Sequence, residues 1–161
     1  MNREKADRED SMAITRGALA SRDVHFWAIT VRSREIGYWR ATVADILRGW
    51  RAREETVALG EQGVSELLAN VACHVDDPRC GLRLSRAEGN VLVEVLDRSG
   101  QPPRVGNRPS WSAERGRGLW LLREMADDFG YMPAPYPEGD GLRMGKVVWF
   151  SCRGALSGEP G

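Results

Sequence analysis

The residues best suited to chemistry are Glu66, Asn70 and His74, within the run Gly63-Val64-Ser65-Glu66-Leu67-Leu68-Ala69-Asn70-Val71-Ala72-Cys73-His74-Val75. Read as a helix, these three stand one above another on a single face. Val64, Leu67, Leu68, Val71 and Val75 form an apolar stripe at helical spacing on another face. A carboxylate one turn before a carboxamide puts a proton acceptor beside a metal-binding oxygen. The same spacing also suits the solvated face of an ordinary core helix, so the rest of the chain has to decide.

Two other stretches carry candidate chemistry. Asp97 closes the apolar run Val91-Leu92-Val93-Glu94-Val95-Leu96 and is followed by Arg98-Ser99-Gly100-Gln101-Pro102-Pro103. A carboxylate at a strand end beside a Ser-Gly turn is a common site position, although Asp also simply favours turns. Further on, Arg115-Gly116-Arg117-Gly118-Leu119 leads into a helix whose apolar face is Leu119, Leu122, Met125, Ala126 and Phe129. Glycine lets backbone approach a ligand closely, and the free N–H groups of a helix start attract phosphate oxygens. A plain loop-to-helix junction has the same sequence. Between the two stretches, residues 100–114 show no periodicity and carry Pro102, Pro103, Gly106 and Pro109. A loop of that length inside a domain is often a lid.

The elements that must position these residues follow from pattern. Val24 to Val31 is β-branched and aromatic and reads as a strand. Ser33 caps a helix carrying Ile36, Trp39, Val43, Ile46, Leu47 and Trp50, with Tyr38 and Trp39 as packing residues. A second helix spans residues 54–75, with Gly60 and Gly63 weakening it slightly. Strands at 80–85 and 91–97 flank a turn at Glu88-Gly89-Asn90. After the loop come the helix, a short strand at Gly130-Tyr131-Met132, a Pro/Gly-rich turn to Gly141, and a last strand from Gly145 to Ser151. Lys146 reads there as merely solvated. The order β, α, α, β, β, loop, α, β, β predicts an α+β two-layer sandwich, with helices on one face of a mixed sheet. A Rossmann fold does not fit, because no βαβ unit surrounds the glycine pair.

Composition sets the frame. A chain of 161 residues suits one domain, expected at 24–152, with a charged lead-in over 1–23 and a flexible tail over 153–161. The formal net charge is zero, which gives no sign of nucleic acid or an anionic membrane as partner. Three cysteines without a C-x-x-C pair suggest neither a disulfide framework nor a zinc site, which suits the cytoplasm. No apolar run has the length of a membrane span.

These stretches together resemble one family. Ser65-Glu66-Leu67-Leu68-Ala69-Asn70, Val93-Glu94-Val95-Leu96-Asp97, Arg115-Gly116-Arg117-Gly118-Leu119 and Gly145-Lys146-Val147-Val148-Trp149-Phe150 are similar, in order and spacing, to the boxes of the GHKL ATP-binding fold of gyrase, histidine kinases and mismatch-repair ATPases. More narrowly, the chain looks like the small anti-sigma factor serine kinases and the related stand-alone regulators of actinomycetes. The resemblance implies ATP and Mg²⁺ as ligands. It assigns Asn70 to the metal and Glu66 to the attacking serine hydroxyl of a partner protein. Asp97 goes to the adenine amine, a contact that selects ATP over GTP, and Gly100 lies in the same box. Arg115, Gly116, Arg117, Gly118 and Leu119 go to the phosphates. The implied partners are a sigma factor and an anti-anti-sigma antagonist, with a homodimer formed through Val24–Trp50. An alternative of the same fold is a catalytically silent binding module. The adenine box departs from the family's D-x-G-x-G, since Ser99 and Gln101 fill its glycine positions, and Val147 stands where a hydroxyl residue often follows the lysine.

Overall fold

The computed structural model describes residues 23–105 and 117–158. The elements are β1 (Val24–Thr30), a 3-10 turn (Ser33–Glu35), α1 (Ile36–Gly49), α2 (Glu54–His74), β2 (Arg79–Ala87), β3 (Asn90–Asp97), α3 (Arg117–Met125), β4 (Asp128–Glu138) and β5 (Gly141–Cys152). The five strands form one sheet in the order β1-β2-β3-β5-β4. Every neighbouring pair is antiparallel, which corrects the expected mixed sheet. The reason lies in the connections. β2–β3 and β4–β5 are hairpins, and the excursion through α3 returns the chain so that β5 runs against β3.

The core is one layer of helices on one sheet face. Alternation along the strands sends Leu82, Leu84, Val91, Val93, Val95, Val148 and Phe150 inward. They meet Val43 and Leu47 of α1, Val64, Leu67, Leu68 and Val71 of α2, and Leu122 of α3. The stripe read from α2 is therefore the buried one. α2 begins at Glu54, where Glu54 and Glu55 complement the positive end of the helix dipole. Gly60 and Gly63 are not merely weak points in it. A Cβ on Gly60 would strike Leu47, and one on Gly63 would strike the Phe150 ring, so these positions let α2 lie close on its neighbours.

Local departures from expectation have physical causes. Ser33 makes no capping hydrogen bond; it starts a 3-10 turn, and α1 follows from Ile36. Tyr38 is 65% exposed and packs edge-on against Trp39, whereas Trp39 rests on the core. Instead of a Gly, α1 ends on Arg51 at φ 59°, with Ala52 N–H donating to the Leu47 carbonyl and Arg51 N–H to that of Arg48. Glu88 and Gly89, both at positive φ, make the two-residue turn between β2 and β3.

The β4–β5 hairpin is far longer than the short strand expected at Gly130–Met132. Its ladder runs unbroken from Asp128–Ser151 to Glu138–Gly141. Three prolines made this stretch read as a turn. Pro133, Pro135 and Pro137 are two apart, so their missing N–H groups all fall on one side of the strand. Since the ladder to β5 continues past them, that side is the outer edge, where strand proline is tolerated.

The expected tail starts later than residue 153. Gly154 N–H donates to the Asn90 side chain, Ala155 N–H to the Gly89 carbonyl and Ser157 N–H to that of Arg51. Ala155 is fully buried, and Leu156 bridges to Ala52. These bonds staple residues 154–157 to the β2–β3 turn and the α1–α2 link. None of the described helices is long and apolar enough to cross a membrane.

Candidate functional site

Two ends converge on one side of the fold: the C-terminal half of α2 and the end of β3. On α2, Asn70 is buried at 7% exposure, while Glu66, one turn earlier, is half-buried. Burial raises the Glu66 carboxyl above the usual carboxylate range, since desolvation penalises its charged form. Gly118, at the start of α3, faces this carboxylate so closely that a Cβ there would overlap it. With Gly there, the start of α3 meets the Glu66 carboxylate without displacing it.

At the end of β3, Asp97 lies directly opposite Lys146 of β5. Their side chains are 1% and 4% exposed, and Nζ is 2.8 Å from Oδ2. Nζ donates a hydrogen bond to Oδ1 at 2.9 Å. Oδ2 is in ionic contact with the ammonium but accepts no aligned hydrogen bond. Gly145 makes this crossing possible, because a Cβ there would overlap the Asp97 carbonyl.

The turn after Asp97 is held by side chains. Ser99 N–H donates to Asp97 Oδ1 at 2.8 Å, and Gln101 N–H to the Ser99 hydroxyl at 3.1 Å. Neither Ser99 nor Gln101 has positive φ. The chain here follows a path open to any residue, closed by an Asx turn and a Ser turn in place of glycine freedom.

A cleft of about 220 Å³ opens between these elements. Asn70 and His74 line it from α2, Ser99, Gln101, Pro102 and Arg104 from the loop, and Lys146 from β5. The structure thus brings Asn70, Asp97 and Glu66 to one side of the fold, with Asn70 in the cleft wall and Asp97 behind Lys146. Gly100 is exposed beside the loop and does not line the cleft. Leu119, expected among the phosphate-binding residues, instead puts its side chain into the core. An apolar side chain at that helix position gains more from burial than it could give an anion. Arg115 and Gly116 lie outside the described residues, and Arg117 enters only as the first residue of α3.

Sequence reasoning missed Lys146, read as solvated. The signal that could have found it is parity. On paired strands, the residue opposite Asp97 must share its face, and that register places Lys146 inward and Val147 on the other side of the sheet. A hydroxyl at 147 would therefore not reach the cleft. His74, exposed at the end of α2, was placed on the right face by its spacing.

No curated protein matches the chain. The family model described as the histidine kinase-like ATPase domain matches residues 29–146, from the end of β1 through Lys146. Those residues contain every residue that lines the cleft, from α2, the loop after β3 and Lys146 of β5. With its single antiparallel sheet backed by three helices, the chain belongs to the histidine kinase-like ATPase domain family, whose description implies ATP binding.

Proposed function

We propose that this chain binds ATP with Mg²⁺ and acts as an anti-sigma factor that phosphorylates a serine of an anti-anti-sigma antagonist, in the cytoplasm. One observation carries the reading: the Glu66 carboxyl and the Asn70 amide share one face of α2, with Gly118 closing on Glu66 from the start of α3. The residues fit the ligand. Asp97 offers a buried carboxylate of the kind an adenine amine satisfies once its contact with Lys146 parts. Among the described residues no group of three His, Cys, Asp or Glu side chains could hold a metal alone. That suits Mg²⁺, which is commonly bound through one or two protein oxygens together with substrate phosphates.

In this reading Asn70 offers its amide oxygen to Mg²⁺, and the metal neutralises phosphate charge. Glu66, with its raised carboxyl, takes the proton of the attacking serine hydroxyl. Gly118, at the start of α3, lets backbone N–H groups come near the phosphates. A phosphoserine on the antagonist carries nearly two negative charges, which would oppose its docking and leave the sigma factor held. Residues 24–50 would form the homodimer surface; Phe26 and Tyr38 are its exposed aromatics.

The test is transfer from labelled ATP to candidate antagonists, with Glu66→Ala and Asn70→Ala alongside. Transfer lost in both variants supports the kinase. Binding of ATP without transfer favours the silent module, for which the Asp97–Lys146 ion pair is the supporting observation. Absence of ATP binding removes the nucleotide-site reading and leaves a module that acts by protein contact alone.

A further inference from the structure

The base-recognition carboxylate is not the group the cleft presents. Lys146 lines the cleft and Asp97 does not, although the two are paired across β3 and β5. Asp97 is the more buried of the two, and both of its oxygens lie within 3 Å of the Lys146 ammonium, at 2.9 and 2.8 Å. A base entering from the cleft meets an ammonium before it meets the carboxylate. An ammonium has only donors.

We propose that Lys146 sets base selectivity, by putting a hydrogen-bond donor in front of Asp97. This rests on the nucleotide-site reading above. Adenine offers an amine at ring position 6, and two donors facing each other do not pair. Its amine reaches Asp97 Oδ2 only when the Asp97–Lys146 contact parts. Guanine and hypoxanthine offer a carbonyl oxygen at the same position, which an ammonium donor satisfies directly. The pair is also costly to break, because either partner alone would be a buried, uncompensated charge. Adenine therefore competes with an internal ion pair for its own acceptor, and the usual preference of such a carboxylate for ATP over GTP is reduced or reversed.

The pair's effect on base choice can be read by binding, apart from turnover. A fluorescent methylanthraniloyl-ATP bound to the full chain with Mg²⁺ is displaced by ATP and, separately, by GTP. For the natural sequence the two affinities should lie within about tenfold of each other. Lys146→Met keeps the straight side chain and removes the donor. ATP should then tighten, and GTP weaken, each by about tenfold, the scale of one charge-assisted hydrogen bond. Without nucleotide, the same variant should melt lower, since it leaves the Asp97 carboxylate buried and unpaired. If Lys146→Met does not fold, Lys146→Gln, whose amide can donate to Asp97 and accept from the adenine amine, should still shift the ATP-to-GTP ratio towards ATP. An unchanged ratio in the variants, or equal weakening of both nucleotides, overturns the proposal and leaves the nucleotide site standing. A chain that binds neither nucleotide, natural or variant, overturns the site reading and this proposal with it.

Discussion

Gly63 of α2 meets the tip of the Phe150 ring on β5 with no room for a side chain between them. A Cβ at Gly63 would fall inside contact distance of that ring and 3.1 Å from Leu122 of α3, so three elements meet at a position with no side chain. Phe150 is fully buried and cannot swing aside.

Replacing Gly63 with Ala sets two effects against each other. Helix propensity favours Ala by about 1 kcal/mol. Overpacking a filled core costs about 1–3 kcal/mol, and the contact here is with a fixed ring. Packing should win, and Gly63→Ala should lower the melting temperature by a few degrees, at roughly 2–4 °C per kcal/mol for a chain of this size. A rise in melting temperature would show that α2 can move away from β5.

The Glu66 carboxyl makes a prediction about pH. Its pKa is raised in the folded chain by burial. The folded state thus holds this proton to higher pH than the unfolded state does. Its contribution to stability is fully present below the ordinary carboxylate pKa and is lost as pH rises through the raised value. Above that, the charged carboxylate sits in a partly desolvated place and opposes folding. Glu66→Gln should therefore raise the melting temperature at neutral pH and leave it nearly unchanged in mild acid. Equal effects at both pH values would mean that the gain is one of packing alone.

The three cysteines should separate by reactivity. Cys73 is exposed, whereas Cys80 and Cys152 are buried. Burial pushes the Cys80 thiol up to about 12, with the Asp97 charge adding to it, and pushes Cys152 up to about 11. Thiolate is the reactive form, so a disulfide reagent at neutral pH should label one thiol quickly and the other two only on unfolding. Fast labelling at Cys80 would mean that the Asp97 end of β3 opens in the native state.

Much of the site was legible because its parts are local. The Glu66-to-Asn70 spacing fixes a shared helix face whatever the rest of the chain does. The apolar run ending at Asp97 fixes a strand end in the same way. Lys146 was not legible, because what it does depends on a strand register between residues 49 positions apart. Pairing, and not composition, decides whether a lysine there is solvated or buried against a carboxylate. The β4–β5 hairpin was misread for a related reason. Proline argues against a strand only where the N–H is needed, and the need depends on which neighbour lies on each side. Ser99 and Gln101 carry a third lesson. Their positions were read as glycine sites, yet the turn is closed here by two side-chain hydrogen bonds along a path that needs no positive φ.

The prolines of β4 also determine how copies of this fold can add to one another. β1 and β4 are the two margins of the sheet, and from Pro133 to Pro137 the margin on β4 lacks donors at every outward position. Head-to-tail stacking, with β1 of one copy on β4 of the next, would need those donors and would build an open fibre. Among the described residues, the Pro133–Pro137 stretch of the β4 margin cannot complete a ladder with a strand of another copy.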